Sequence, residues 1–111
     1  MSLVIHIYYT GQEGSARRFA EEMTSGGTVA LIRSEPGNEG YEYFFPMDDS
    51  ETVLLIDSWQ DQSSIDVHHA SPMMARIIEL REKYGLGMRV ERYVSDEAGI
   101  PQKDRAFIKE K

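Results

Sequence analysis

Residues 52–60, TVLLIDSWQ, limit what this chain can fold into more than any other stretch. The segment is short, largely aliphatic and bounded by polar residues, which marks a β-strand. Alternation across a strand puts Val53, Leu55, Asp57 and Trp59 on one side and Leu54, Ile56 and Ser58 on the other. Both sides are apolar enough to need cover. One of them also carries a carboxylate and the chain's only tryptophan. A carboxylate inside an apolar run is tolerated only when it is hydrogen-bonded, protonated or exposed at the strand's end.

The flanking segments supply the rest of a sheet and its cover. Leu3 to Thr10 (LVIHIYYT) reads as a first strand, with Leu3, Ile5, Ile7 and Tyr9 opposite Val4, His6, Tyr8 and Thr10. Ser15, as N-cap, opens a helix whose apolar stripe is Ala16, Phe19, Ala20 and Met23. Gly26-Gly27 ends or kinks that helix. Thr28 to Arg33 is a strand by propensity. By spacing it continues the helix through Gly27, Ala30, Leu31 and Ser34, and periodicity leaves both open in so short a run. Glu35 to Gly40 is a turn-rich loop, followed by a strand from Tyr41 to Met47 in which Pro46 marks an edge or a bulge near the end. After the strand at 52–60, Asp61 caps a short helix, Gln62 to Ala70. Ser71-Pro72 then has the pattern of a cap and first position for a helix with the stripe Met73, Ile77, Leu80 and Tyr84, closed by Gly85. Gly87 to Ser95 is the last strand, and Glu42, Glu91 and Arg92 read as cross-strand charge pairs.

The order β-α-β-β-α-β predicts an α+β, ferredoxin-like fold: a four-stranded antiparallel sheet with helices on one face. The other face would carry Leu54, Ile56 and alternate residues of the first strand, and a second copy packed sheet to sheet is the simplest cover. The chain of 111 residues is read as one domain, core 3–95, with a tail at 96–111 whose apolar island Ala106-Phe107-Ile108 is expected to dock on the partner subunit. A net charge of −7 argues against nucleic-acid or anionic-membrane partners. The absence of cysteine removes disulfides and thiolate chemistry, and no apolar run reaches the ~20 residues of a membrane span. A cytoplasmic location is the expectation.

Several motifs in series resemble the antibiotic biosynthesis monooxygenase family, and within it the quinol monooxygenase type. They are E-P-G-N-x-x-Y (Glu35 to Tyr41), an apolar strand with acid-x-Trp (Asp57, Trp59), a short helix reaching His68, and Ser71-Pro72 opening the next helix. Each motif alone is weak; their order over residues 3–95 is fairly specific. The resemblance implies a homodimeric α/β barrel, a mostly apolar cavity between sheet and helices, and oxidation of quinol or polycyclic aromatic substrates without metal, flavin or haem. It also implies helix for 28–34. Departures are visible: Asp57 stands where the family often has glutamate, Met73 where a second histidine often follows, and Leu55 where well-studied oxygenases carry asparagine. Haem-degrading relatives use an asparagine in the first strand, where this chain has His6, and a helical tryptophan it lacks.

The candidate site follows. The helical phase from Ile65 turns His68 inward and His69 outward. His68 is the expected base, with Asp57 fixing its tautomer; a satisfied, partly buried histidine fits the same pattern. Trp59 serves as plain core or as a flat wall for an aromatic ring. Tyr43 and Asn38 are expected to position the substrate, with Leu55 and Met73 completing the apolar surface. His6, His68 and Asp57 have ligand chemistry but no compact metal-binding spacing, so no metal is expected. The leading expectation is a cofactor-independent monooxygenase acting on a small quinol-like or aromatic molecule. Two alternatives share the fold: a proton-transfer isomerase of a small ketone, and a non-catalytic dimer holding haem or an apolar metabolite.

Overall fold

Four antiparallel strands form one sheet in the order β2-β3-β1-β4, in a computed structural model that describes residues 1–110. The strands are β1 (Leu3–Thr10), β2 (Asn38–Phe44), β3 (Thr52–Trp59) and β4 (Gly87–Val94). Between them lie α1 (Ser15–Ser25), α2 (Thr28–Arg33), α3 (Gln62–His69) and α4 (Met73–Lys83); α5 (Gln102–Arg105) follows β4. This is the ferredoxin-like arrangement expected from the element order.

Register turns the alternation of each strand into rows across the sheet. Opposite Trp59 of β3 stand Leu3 of β1 and Asn38 of β2; opposite Asp57 stand Ile5 and Tyr41; opposite Leu55 stand Ile7 and Tyr43. On β1's other side, Leu3, Ile5, Ile7 and Tyr9 meet Val94, Arg92, Val90 and Met88. All these side chains project toward the helices. Val53, Leu55, Asp57 and Trp59 are buried there, while Leu54, Ile56 and Ser58 on the open face are half-buried. His6 also lies on the open face, beside Tyr93 at 4.9 Å between ring centroids. It is therefore separated from Asp57 and His68 by the thickness of the sheet, and the trio His6, His68, Asp57 does not assemble.

Helix α1 buries the stripe Ala16, Phe19, Ala20 and Met23. Phe19 sits at its centre, 4.9 Å from Tyr9, 6.3 Å from Tyr43 and 6.5 Å from Tyr84 between ring centroids. Residues 28–33 are helical, but the buried face is Thr28, Val29 and Ile32, not the stripe through Ala30 and Leu31. Gly27, at φ 86°, breaks the helix and resets its rotation, so the periodicity of α1 does not carry across.

Other boundaries differ for local reasons. Ser15 is the first helical residue, not the cap; its Oγ accepts from the Gln12 N–H at 3.0 Å, and left-handed Gly14 occupies the cap. Ser71 likewise does not cap α4, because its hydroxyl donates to the His68 carbonyl at 2.7 Å. The bulge in β2 lies between Asn38 and Gly40 rather than near Pro46, whose carbonyl is instead held by Arg17. Arg92 donates to Gln62 of α3, and Glu91 pairs with Arg89 on its own strand at 2.8 Å, so the expected cross-strand pairs do not form. Asp61 does cap α3, its carboxylate accepting from the Ser64 N–H at 2.8 Å.

β4 is exposed along nearly its whole length, so the helical layer leaves that edge uncovered. The tail begins beside the N-terminus of β1, where Ser95 donates to the Ser2 carbonyl at 3.0 Å. Its island docks on nothing among the described residues: Phe107 is 90% exposed. Lys111 lies outside the described residues. Phe19→Ala is expected to cost about 3–5 kcal/mol of stability, measured by urea unfolding, because three rings lose their common partner at once.

Candidate active site

A cavity of about 280 Å³ lies between the sheet and helices α3 and α4, near the lower end of the range for small-molecule sites. Its floor is Ile5, Ile7, Leu55, Asp57 and Trp59; its roof is Ile65, His68, Met74, Ile77 and Arg81. Met88, Val90 and Arg92 line it on the β4 side. Asp57, Trp59 and His68 thus share one chamber, and all three are buried.

Their partners are not those expected from the sequence. Asp57 does not hold His68. Its Oδ2 accepts the Trp59 indole N–H at 2.8 Å, since residues two apart on a strand point the same way. Its Oδ1 is shielded and has no hydrogen-bond partner among the described residues. Burial pushes the Asp57 carboxyl above the ordinary carboxylate range; the Trp59 hydrogen bond and the charge of His68 pull in the other direction. Protonated, a carboxyl can donate a hydrogen bond as well as accept one.

His68 is held by Glu35 instead, with Nδ1 2.7 Å from Oε2. The E-P-G-N turn packs directly onto α3 and makes this contact possible. Gly37 has φ 86°, and a Cβ there would lie 2.0 Å from the Ser64 hydroxyl, so only glycine permits the approach. Ser64 and His68 are one turn apart on the same face of α3, so the turn that touches one brings Glu35 to the other. A carboxylate only accepts, which assigns a hydrogen to Nδ1; in the neutral imidazole the lone pair is then on Nε2. Glu35 stands outside the cavity lining, so Nε2 is the ring nitrogen on the cavity side. Trp59 stacks on the imidazole at 4.9 Å and 31° and fixes its plane.

The remaining sequence candidates separate. Leu55 lines the cavity. Tyr43 does not; it packs on Phe19 under α1 and lines a separate groove with Phe44 and Phe45. Asn38 does not either; its amide donates to the Gly40 and Ser58 carbonyls at 3.2 and 3.4 Å, bridging the β2 bulge. Met73 packs against the core while its neighbour Met74 takes the cavity position, a rotation of one residue in α4. His69 reaches the rim although it is exposed. Glu35, Tyr41 and Arg81 were missed. Arg81 had a signal, because Met74, Ile77 and Arg81 fall at i, i+3 and i+7. Glu35 had none beyond its place in the turn. Among the described residues no three His, Cys, Asp or Glu side chains are grouped to hold a metal ion, and no helix is long and apolar enough to cross a membrane.

The sequence profile of the family described as antibiotic biosynthesis monooxygenase matches residues 2–80. Solved structures with the same fold include a candidate antibiotic biosynthesis monooxygenase from Deinococcus radiodurans, 15% identical over 90% of this chain and 98% of its own, with a TM-score of 0.76. SnoaB of Streptomyces nogalater, described as a cofactor-independent oxygenase, is 14% identical over 86% of this chain and 94% of its own, with a TM-score of 0.72. PA3566 of Pseudomonas aeruginosa is 21% identical over 85% and 93%, with a TM-score of 0.71. No curated protein matches the chain.

Asp57 supplies a test by pH. An acid whose pKa is raised by folding binds its proton more tightly in the native state. Native stability therefore falls as pH rises from about 3.9, the unfolded value, through the raised value, and levels off above it. Asp57→Asn keeps an acceptor for the Trp59 N–H and removes the charge. Its stability relative to the parent should rise with pH across that window and then stay flat, as followed by urea unfolding at a series of pH values. A difference independent of pH would show that Asp57 is not the buried acid.

Proposed function

The chain belongs to the antibiotic biosynthesis monooxygenase family, and on that premise we propose that it oxidises a small quinol-like or aromatic substrate with O2 in the cavity beneath His68. The observation that carries the reading is the division of labour on His68: Nδ1 is engaged by Glu35 and Nε2 is left to an apolar chamber. That is the arrangement of a general base whose tautomer is set from behind.

The proposed chemistry asks little of the protein. Nε2 of His68 takes a phenolic proton, and the resulting phenolate reduces O2. For a 1,4-dihydroxyarene the balance is substrate plus O2 giving a hydroxyquinone plus water. One oxygen atom enters the ring, the other leaves as water, and all four electrons come from the substrate. No external reductant or bound cofactor is required by this balance, and the description of SnoaB as a cofactor-independent oxygenase supports it. Trp59 and Leu55 provide flat and aliphatic walls for the ring. Asp57, whose protonated form burial favours, holds the Trp59 indole N–H and so keeps that wall in place beside the imidazole.

His68→Ala is expected to lower O2 uptake with 1,4-dihydroxynaphthalene by about 10²–10⁴-fold. Glu35→Gln should have a smaller effect, since an amide oxygen still accepts from Nδ1. Unchanged uptake in His68→Ala would overturn the assignment of the base. Turnover that persists under argon would replace oxidation with proton-transfer isomerisation.

We also propose a two-fold dimer formed sheet to sheet. Leu54 and Ile56 on the open face are apolar and have no helix over them, and across the register Tyr8 of β1 stands opposite Leu54 and His6 opposite Ile56. A second copy buries this face without leaving an exposed apolar patch. The tail, with Phe107 free of its own chain, is proposed to reach the partner. Light scattering should give twice the chain mass for the parent and the single-chain mass for Ile56→Asp. A monomeric parent would remove the basis of this proposal.

A further inference from the structure

Two arginines line the cavity that the proposed proton transfer does not use: Arg92, exposed at the β4 rim and donating to Gln62, and Arg81, which is more enclosed. Arg81 sits on α4 one turn beyond Ile77, on the face that roofs the chamber. Its Nη2 donates to the Tyr9 hydroxyl at 3.0 Å. Its Nε–H is shielded from water and has no acceptor, and no carboxylate pairs with the guanidinium among the described residues. The neighbouring cations on α4 behave differently. Arg76 and Lys83 both reach Glu22, at 3.0 and 2.8 Å. Of the three cations on α4, Arg81 is the one without a carboxylate partner among the described residues.

A partly desolvated guanidinium with a single neutral acceptor carries unspent hydrogen-bonding capacity. Its planar fork matches a carboxylate, and it keeps its charge at every working pH. Tyr9, which holds it, lies four residues along β1 from Ile5, the neighbour of Asp57, so the two groups belong to different rows of the sheet. Between these polar ends the lining is Ile7, Ile77, Met88 and Val90, all apolar.

We infer that Arg81 is an anion-binding subsite, and that the ligand of this cavity is an aromatic molecule bearing a carboxylate at the end remote from His68. That the ligand is aromatic and oxidised rests on the function proposed above; that it is anionic rests on Arg81 and its missing partner. Arg81 acts in binding and orientation, setting which ring edge meets Nε2, and takes no part in the proton transfer.

Calorimetry with two redox-inert probes of equal shape, 2-naphthoate and 2-naphthamide, tests the subsite apart from any oxidation. The parent protein should bind the carboxylate at least about tenfold more tightly than the amide. Arg81→Met should abolish that preference while leaving the amide's affinity unchanged, and Arg81→Lys should keep part of it. If Arg81→Met does not fold, as judged by circular dichroism, the parent's preference and the Lys variant decide. Equal affinities in the parent, no binding of the carboxylate, or a preference that survives in Arg81→Met overturns the inference. O2 uptake with 1,4-dihydroxynaphthalene, which has no carboxylate, reports separately on the oxidase reading. Loss of that activity with the carboxylate preference intact would sink the reaction and spare the subsite.

Discussion

The two-residue period of β3 is the constraint on which the rest of this molecule depends. As an interior strand it has neighbours on both edges, so each residue on its buried face fixes a row across the sheet. The row through Asp57 brings in Tyr41, Ile5 and Arg92, and the row through Leu55 brings in Tyr43, Ile7 and Val90. A slip of one residue would move Asp57 and Trp59 to the open face and send Leu54 and Ile56 inward. The apolar surface on both sides makes the hydrophobic cost of that slip small. The cost falls on contacts with other elements: Asp57 and Trp59 would leave the cavity together, and the imidazole of His68 would lose the ring it stacks on.

The site is assembled by two carboxyl groups with separate tasks. Glu35 works from outside the cavity and orients His68; Asp57 works from inside and is held by Trp59. Their partners differ. Glu35 has the imidazole as its partner, whereas one oxygen of Asp57 is shielded and has none among the described residues. Burial without a second partner favours the protonated form of Asp57. The apolar walls contribute by excluding water, which strengthens each of these interactions.

The uncovered β4 edge and the open face of the sheet are consequences of size. A chain of 111 residues has enough helix to cover one face of four strands and not the other. The cavity persists between sheet and helices because α3 and α4 are pinned at their ends. Asp61 caps the start of α3, the E-P-G-N turn braces its middle, and the Glu22 cluster with Arg76, Lys83 and Tyr84 ties α4 to α1. Packing at these points holds the roof above the floor.

Local patterning was enough to read the strands, the helices and the inward faces of β3 and α3, because alternation and helical phase are properties of adjacent residues. Asp57, Trp59 and His68 were legible for that reason, as was the short loop that positions Gly37. The pairing of side chains was not legible. Glu35 and His68 are 33 residues apart and meet only because a positive-φ glycine lets a turn lie against a helix. Asn38 and Tyr43 looked like site residues by their chemistry, and the bulge and α1 claimed them. The broken helix at Gly27 rotated α2 away from the stripe that spacing suggested, and a one-residue rotation in α4 exchanged Met73 for Met74. By itself the sequence determined which face of each element is buried, since that depends on period. Which buried polar group meets which was decided by tertiary structure, since contact across elements depends on register, helix rotation and the closeness of backbones.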